Sequence, residues 1–290
     1  MNILTKFRRL FFPKKIVMTL LVRDEEDILD ANIKYHLSIG VNFFIITDNN
    51  SVDNTPAIIK KYEKLGVAKY IRETGDEFAQ GRWVTQMARM AHEKYGAEWV
   101  INNDADEFWW TPACNLKKEF KKIPKDVGVV FVDRHNFIPR PETNDFFYEV
   151  MDIREKRSLD SLGRPLECKS FHRSSPSVVV ATGNHNAHSE EFDKKILSPT
   201  MEIFHFPLRS YRQFENKIVK GGAALIRNKE LGVDLGDTWR KLFAINEKGG
   251  LPDYYTTQLF NDEQVATNIT NGILVQDSRL KNYLNKKFAF

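Results

Sequence analysis

The chain has 290 residues, of which 42% are hydrophobic and 28% are charged, a composition that allows a globular protein with a sizeable core. Its net charge of +4 is too small to indicate a nucleic-acid partner. Two cysteines, Cys114 and Cys168, give neither a disulfide framework nor a metal-binding spacing, so we interpret both as reduced thiols of a cytoplasmic protein.

The first fifteen residues form a basic segment without an acidic residue, in which leucine and phenylalanine alternate with the bases. The bases are Lys6, Arg8, Arg9, Lys14 and Lys15. On a helix this pattern gives an apolar stripe beside a basic one, as in segments that lie on anionic membranes. We therefore predict a basic arm over residues 1–15 in peripheral contact with the inner face of the membrane. A disordered start and a helix packed on the domain are the alternatives.

Strand and helix patterns alternate from residue 16 onward. Residues 16–22 are continuously apolar, which predicts a strand buried on both faces. Helical spacing follows over residues 27–37, and a second helix begins with Thr55 as N-cap and Pro56 in its first turn. The remaining predicted elements are strands at 43–47, 67–71 and 99–101 and a helix at 80–95. This order predicts a mostly parallel sheet with helices on both faces.

The pattern becomes irregular after residue 112. Strand-like segments lie at 127–132, 146–153, 168–173 and 178–182, and a helical pattern at 211–227 is interrupted by two glycines. We predict a single α/β domain of the Rossmann-like kind. Its first half, residues 16–112, would bind the ligand, residues 113–227 would form an irregular second half, and residues 228–290 a C-terminal extension.

Polar side chains follow three of the predicted strands, at the edge where parallel sheets bind ligands. They lie at residues 23–26, 48–51 and 102–107. For Asp24 two interpretations stay open, the N-cap of the first helix or an acceptor for nucleoside hydroxyl and N–H groups. The segment 48–55 is equally compatible with a polar turn capped by Thr55 and with a nucleotide-binding loop at a helix N-terminus.

The pair Asp104 and Asp106 is the strongest indication of chemistry in the sequence. Two carboxylates one residue apart, just past a strand end, are hard oxygen ligands of the kind that Mg²⁺ and Mn²⁺ prefer. Such a cation neutralises the charge that builds on a departing diphosphate. The pattern therefore predicts a divalent-metal site.

Three segments together resemble the family-2-like glycosyltransferases, which have the nucleotide-binding GT-A fold. The segments are L-V-R-D-E-E at 21–26, I-T-D-N-N-S-V-D-N-T at 46–55 and N-D-A-D-E-F at 103–108. The chain looks closest to a bacterial subgroup in which D-x-D-E-F follows a helix containing tryptophan, here Trp83. The resemblance implies a nucleotide-sugar site and a bound Mn²⁺ or Mg²⁺. The nucleotide-sugar residues would be Asp24, Glu26, Asp48, Asn49, Ser51 and Asp104.

The second half contributes three further candidates. The resemblance implies that a histidine completes the metal site, and we choose His205, which ends a strand-like run; a core or loop histidine is the alternative. Lys169 and Arg209 would neutralise the diphosphate, or be ordinary surface charges.

The catalytic base is not identified by the sequence. Inverting members of the resembled family carry an acidic pair downstream of D-x-D, and this chain has no such pair. The substitutes are Asp133, Glu142, Asp145 and His185, and the sequence does not choose between them.

The predicted function is transfer of a sugar, with inversion, from a UDP-linked or similar donor to a glycan or lipid-linked acceptor, as in polysaccharide biosynthesis. A nucleotidyltransferase is one alternative, although it would carry a glycine-rich basic loop where residues 23–26 are acidic. A catalytically inactive nucleotide-binding or glycan-binding module is the other.

Overall fold

A computed structural model describes residues 15–75, 79–143, 145–159, 163–227 and 237–288. The predicted basic arm therefore lies outside the described residues, except for Lys15. The chain forms two compact units. The first contains Met1–Thr74, Ala79–Asp133 and Glu167–Ile203, and the second contains Gly75–Phe78, Arg134–Leu166 and Phe204–Phe290.

The first unit is built on a block of four parallel strands. These are β1 (Lys15–Val22), β2 (Phe43–Asn49), β3 (Ala68–Glu73) and β4 (Ala97–Asn103), in the order β3-β2-β1-β4. The helices between them are α1 (Leu29–Ile39), α2 (Thr55–Lys64) and α3 (Gln80–Glu93). Val17, Met18 and Leu20 of β1 are completely buried, as expected for a strand covered on both faces.

Later strands extend this block into an eight-stranded sheet. They are β5 (Glu107–Trp110), β6 (Val127–Asn136), β8 (Lys169–Arg173) and β11 (Lys194–His205), and the order continues β4-β8-β6-β11-β5. β8 runs antiparallel to both β4 and β6. The short helix α4 (Leu116–Phe120) and the hairpin of β9 (Val179–Val180) and β10 (Ala187–His188) complete the elements of this unit.

Aromatic rings fill the core where the antiparallel strands meet the parallel block. Phe171 of β8 stacks on Phe120 with ring centroids 4.4 Å apart, and it meets Trp99 and Trp109 edge-on at 5.4 and 5.8 Å. Aromatic pairs in this geometry stabilise a core beyond the area they bury. They fix β8 against the strand that leads to the acidic loop at residues 104–106.

The second unit is mostly helical. It contains α5 (Phe147–Val150), α6 (Tyr211–Arg227), α7 (Asp237–Glu247), α8 (Leu251–Gln258), α9 (Asp262–Thr270) and α10 (Arg279–Lys287), with the strand pair β7 (Ile153–Glu155) and β12 (Leu274–Gln276). Phe214, Ile218, Leu242, Leu251 and Tyr255 form one of its apolar clusters.

The predicted α/β class, with helices flanking a sheet that is built on parallel strands, is confirmed, and several local predictions are corrected. The segment predicted as a strand at 146–153 instead contains α5. A short apolar run is compatible with the spacing of a helix and with that of a strand, so the pattern does not distinguish them. The glycine pair does not interrupt α6, and Gly222 instead allows the ring of Phe243 to approach the helix closely. No helix among the described residues is long and apolar enough to cross a membrane.

Candidate functional site

The loops that follow β1 and β2 are joined to each other by hydrogen bonds. Val22 pairs with Asp48 in the sheet, so both loops leave it at the same level. The Asp24 amide donates to Ser51 Oγ at 2.9 Å, and the Val52 amide donates to Asp24 Oδ1 at 2.7 Å. The backbone N–H of Asn54 donates to Glu26 Oε2 at 2.9 Å. Each loop thus satisfies the backbone of the other.

These contacts correct two capping predictions. Asp24 does not cap the first helix, since α1 begins at Leu29, five residues later, and Asp24 itself adopts a left-handed conformation with φ of 55°. Thr55 is the first residue of α2 instead of its N-cap, and its hydroxyl accepts a hydrogen bond from the Glu25 amide at 2.9 Å. Both side chains hold the two loops together.

Asp48 is completely buried at the base of this pair of loops. Its Oδ1 accepts from the Ser51 amide at 2.9 Å and its Oδ2 from the Tyr70 hydroxyl at 2.8 Å. Burial, together with the hydrogen bond to Asp48, raises the pKa of Tyr70 to about 12. Asp48 therefore supports the shape of the loop, while Asn49 at the end of β2 is partly exposed.

The acidic loop follows β4, which pairs with β1 on the opposite side from β2. The completely buried Asn32 of α1 donates to the carbonyls of Ala105 and Glu107, at 2.9 and 2.8 Å. Asn103 also donates to the Glu107 carbonyl, at 3.2 Å. These bonds define the backbone on which Asp104 and Asp106 are placed.

The buried His36 reinforces the same loop from α1. The Trp109 amide donates to its Nε2 at 3.1 Å, so Nδ1 carries the proton and donates to the Asn32 carbonyl at 2.9 Å. Burial lowers the pKa of His36 to about 3. The sequence predicted only that His36 and Asn32 lie in a helix, because the hydrogen bonds of a single buried side chain leave no pattern in the local sequence.

The Asp104 carboxylate is held by two side chains from later in the chain. Lys169 of β8 forms an ion pair with its Oδ2, and Asn184 donates to its Oδ1 at 3.1 Å. The same lysine lies 3.2 Å from Glu107 Oε1. Lys169 and Glu107 are buried, with side-chain exposures of 3% and 0%, whereas Asp104 is 30% exposed. Lys169 is thus an internal cation of the acidic loop.

The chemistry of this loop fits a hard divalent cation. Asp104 and Asp106 offer carboxylate oxygens, and the amide oxygen of Asn184 is buried without a hydrogen-bond partner in the described structure. Across the ranges that the structure describes, no group of three or more His, Cys, Asp or Glu side chains could hold a metal. A bound ion would therefore need further oxygens from a ligand or from water.

His205 belongs to the second unit, at the end of β11. Its Nδ1 donates to Asn136 Oδ1 at 2.8 Å, and Asn136 donates in turn to Glu155 at 3.2 Å. A hydrogen bond at Nδ1 selects the tautomer with its lone pair on Nε2, the form that binds metals. Its part in a metal site stays a prediction.

Two of the four base candidates, Asp133 and His185, belong to the first unit and meet at Cys168. The Cys168 thiol donates to Asp133 Oδ1 at 3.1 Å. His185 Nδ1 donates to the Cys168 carbonyl at 2.8 Å, and its Nε2 lies 3.4 Å from Glu167. Both side chains therefore contact Cys168, the residue that precedes Lys169 in the chain.

The other two base candidates and Arg209 lie in the second unit. Glu142 accepts from the Tyr211 amide at 2.6 Å and so satisfies the start of α6. Asp145 is exposed and bonds within its own turn, to Thr143. Arg209 donates to the Phe206 carbonyl at 2.9 Å. All three are bound to neighbouring parts of the same unit.

The family model described as Glycosyltransferase family 92 matches residues 18–241. No curated protein matches the chain.

Three solved structures illustrate the structural likeness. A mannosyltransferase from Pyrobaculum calidifontis, in complex with GDP-Man and Mn²⁺, has a TM-score of 0.35 and 17% identity, covering 43% of this chain and 36% of its own. S. aureus TarS 1–349 has a TM-score of 0.45 and 13% identity, covering 95% of this chain and 92% of its own. The same protein in complex with UDP-GlcNAc has a TM-score of 0.46 and 12% identity, covering 89% of this chain and 92% of its own.

Proposed function

The chain belongs to glycosyltransferase family 92, and we propose that it transfers a sugar from a nucleotide-diphosphate donor, with uridine as the nucleoside. The acceptor is a glycan or a lipid-linked glycan. The glycosyltransferase activity predicted from sequence agrees with this family, whereas the nucleotidyltransferase alternative does not; release of UDP from a donor distinguishes an active enzyme from the inactive-module alternative. The family-2-like resemblance thus led to the right class of enzyme, and the bacterial subgroup stays a prediction.

The observation that carries the proposal is the convergence of three polar loops at one edge of the parallel block. They follow β1, β2 and β4, three neighbouring strands. Ligands of open α/β sheets bind at this edge. The loops at 23–26 and 48–51 would contact the nucleoside, through Asp24, Glu26, Asn49 and Ser51. The acidic loop would face the diphosphate.

Asp104 and Asp106 would hold a Mn²⁺ or Mg²⁺ ion, with His205 as a further ligand. The ion would neutralise the diphosphate that departs from the sugar. Since the protein supplies few ligands, the phosphate oxygens of the donor complete the set in this proposal. It follows that the cation binds together with the nucleotide, and only weakly without it.

The acceptor hydroxyl would be activated by one of the four base candidates. The base takes the hydroxyl proton, the acceptor oxygen attacks the anomeric carbon, and the bond from that carbon to the diphosphate oxygen breaks with inversion. Asp133 and His185 share a unit with the acidic loop, which supports testing them before Glu142 and Asp145.

A thermal-shift screen tests the proposal. UDP, GDP and CDP are compared with and without MnCl₂, because a ligand that binds only the native state raises the melting temperature. We expect the largest rise with UDP and Mn²⁺ together. Release of UDP from UDP-sugars then measures turnover. If no nucleoside diphosphate stabilises the protein and no donor is hydrolysed, the proposal is wrong.

A further inference from the structure

Lys169 is an unusual neighbour for a metal-binding carboxylate. Its ammonium group is almost completely buried and contacts both Asp104 and Glu107. A buried ammonium group is stable only when its charge is balanced, and the two carboxylates provide that balance. Lys169 of β8 is therefore a buried ion-pair partner of the acidic loop and not a surface charge.

The charges of this cluster can be counted. Asp104, Asp106 and Glu107 are three carboxylates of one short segment, and Lys169 is an ammonium group in contact with two of them, so the formal charges of these four side chains, called the acidic cluster, sum to −2. A divalent cation would neutralise this charge. The ammonium group also acts on the same oxygen atoms that the cation would use, because it contacts Asp104 Oδ2. It therefore positions the carboxylate and weakens its attraction for a second cation.

We infer that Lys169 is a positioning residue that limits binding of the metal in the absence of nucleotide. It holds the carboxylate of Asp104 in place and lowers the affinity of the acidic loop for a free ion. When the nucleotide binds, the negative charge of its diphosphate restores the affinity for the ion. This inference rests on the proposed metal site at Asp104 and Asp106.

Glu107 has the opposite effect in this account. Its buried carboxylate shares the ammonium group with Asp104, so part of the positive charge is directed away from the metal-binding oxygens. Removing the charge of Glu107 would leave the whole ammonium charge to act on Asp104. The two residues should therefore change metal affinity in opposite directions.

The test is Mn²⁺ binding followed by electron paramagnetic resonance, in which free Mn²⁺ gives the signal, with MnCl₂ alone and with MnCl₂ plus UDP. Lys169→Gln makes the cluster charge −3, and we expect about tenfold tighter binding of Mn²⁺ alone. Glu107→Gln makes it −1, and we expect about tenfold weaker binding. The double variant restores −2, and its affinity should return close to that of the parent.

A merely structural role predicts something else, namely weaker binding in all three variants. The double variant also guards against misfolding, since it removes both members of the buried Lys169–Glu107 pair together. Lys194→Gln is the matched control, because Lys194 forms an exposed pair with Asp126 at 2.7 Å in the same unit. It should leave Mn²⁺ binding unchanged.

The outcomes separate the two claims. If the parent binds Mn²⁺ with UDP but the single variants shift in the same direction, or not at all, the inference about Lys169 is wrong. If the parent binds no Mn²⁺ even with UDP, the proposed metal site itself is wrong.

Discussion

The polar residues of the two compact units are held in different ways. In the first unit, the candidate residues bond to segments far away in sequence, as Asn32 does to Glu107 and Lys169 to Asp104. In the second unit, Glu142 and Asp145 are exposed and Arg209 is partly exposed, even where the hydrogen bond joins distant segments, as between Glu142 and Tyr211. The acidic loop of the first unit is therefore held by buried side chains, whereas the candidates of the second unit lie nearer to solvent.

The largest effect is expected from breaking the long-range contacts of the first unit at Asn32. Asn32→Asp removes both donated hydrogen bonds and buries a carboxylate beside two carbonyl oxygens. We expect a loss of about 3 kcal/mol or more in the free energy of unfolding, measured by urea denaturation. Asn268→Asp is the control, because Asn268 bonds at the surface within α9. Equal losses in both variants would contradict the comparison.

The buried histidines of the first unit give a smaller effect that depends on pH. Burial lowers the pKa of His36 to about 3 and that of His172 to about 4, against about 6.5 in the unfolded chain. Below pH 6.5 the unfolded state therefore binds protons that the folded state does not, so stability falls with pH down to the folded pKa. At pH 5.5 we expect a loss of about 1.4 kcal/mol for each histidine.

Urea denaturation between pH 7.5 and pH 5.5 measures this dependence. His172→Phe should remove the part of the pH dependence that comes from His172, because phenylalanine does not titrate. Its ring can keep the packing against Phe192. A variant with the same pH dependence as the parent would show that His172 contributes nothing to it.

The accuracy of the predictions from sequence also differs between the two units. The apolar runs and helix signals of residues 16–103 located β1 to β4 and the loops at their ends, because each has a local pattern. Asn32 and Asn184 were missed, since the residues that they contact lie far away in the chain. In the second unit, the helix at 147–150 was mistaken for a strand, because an apolar run of that length fits both periods.

The role of His205 as a metal ligand is a prediction from the sequence. His205→Ala should weaken binding of Mn²⁺ in the presence of UDP by roughly ten- to a hundredfold, if the imidazole is a ligand. His205→Asn should recover part of the loss through its amide oxygen. Asn136→Ala sharpens the test, because it removes the hydrogen bond that orients the ring and keeps the imidazole itself. Unchanged affinity in His205→Ala would exclude the imidazole as a metal ligand.

The acidic loop is proposed to bind the nucleotide through a metal ion. Isothermal titration calorimetry of UDP, with and without MnCl₂, on the parent, Asp104→Asn and Asp106→Asn measures it directly. Asp126→Asn is the control, since Asp126 is an exposed partner of Lys194. We expect Mn²⁺-dependent binding in the parent and the control, and affinity lowered by about a hundredfold in both loop variants. If both loop variants bind UDP with Mn²⁺ as tightly as the parent, the claim is contradicted.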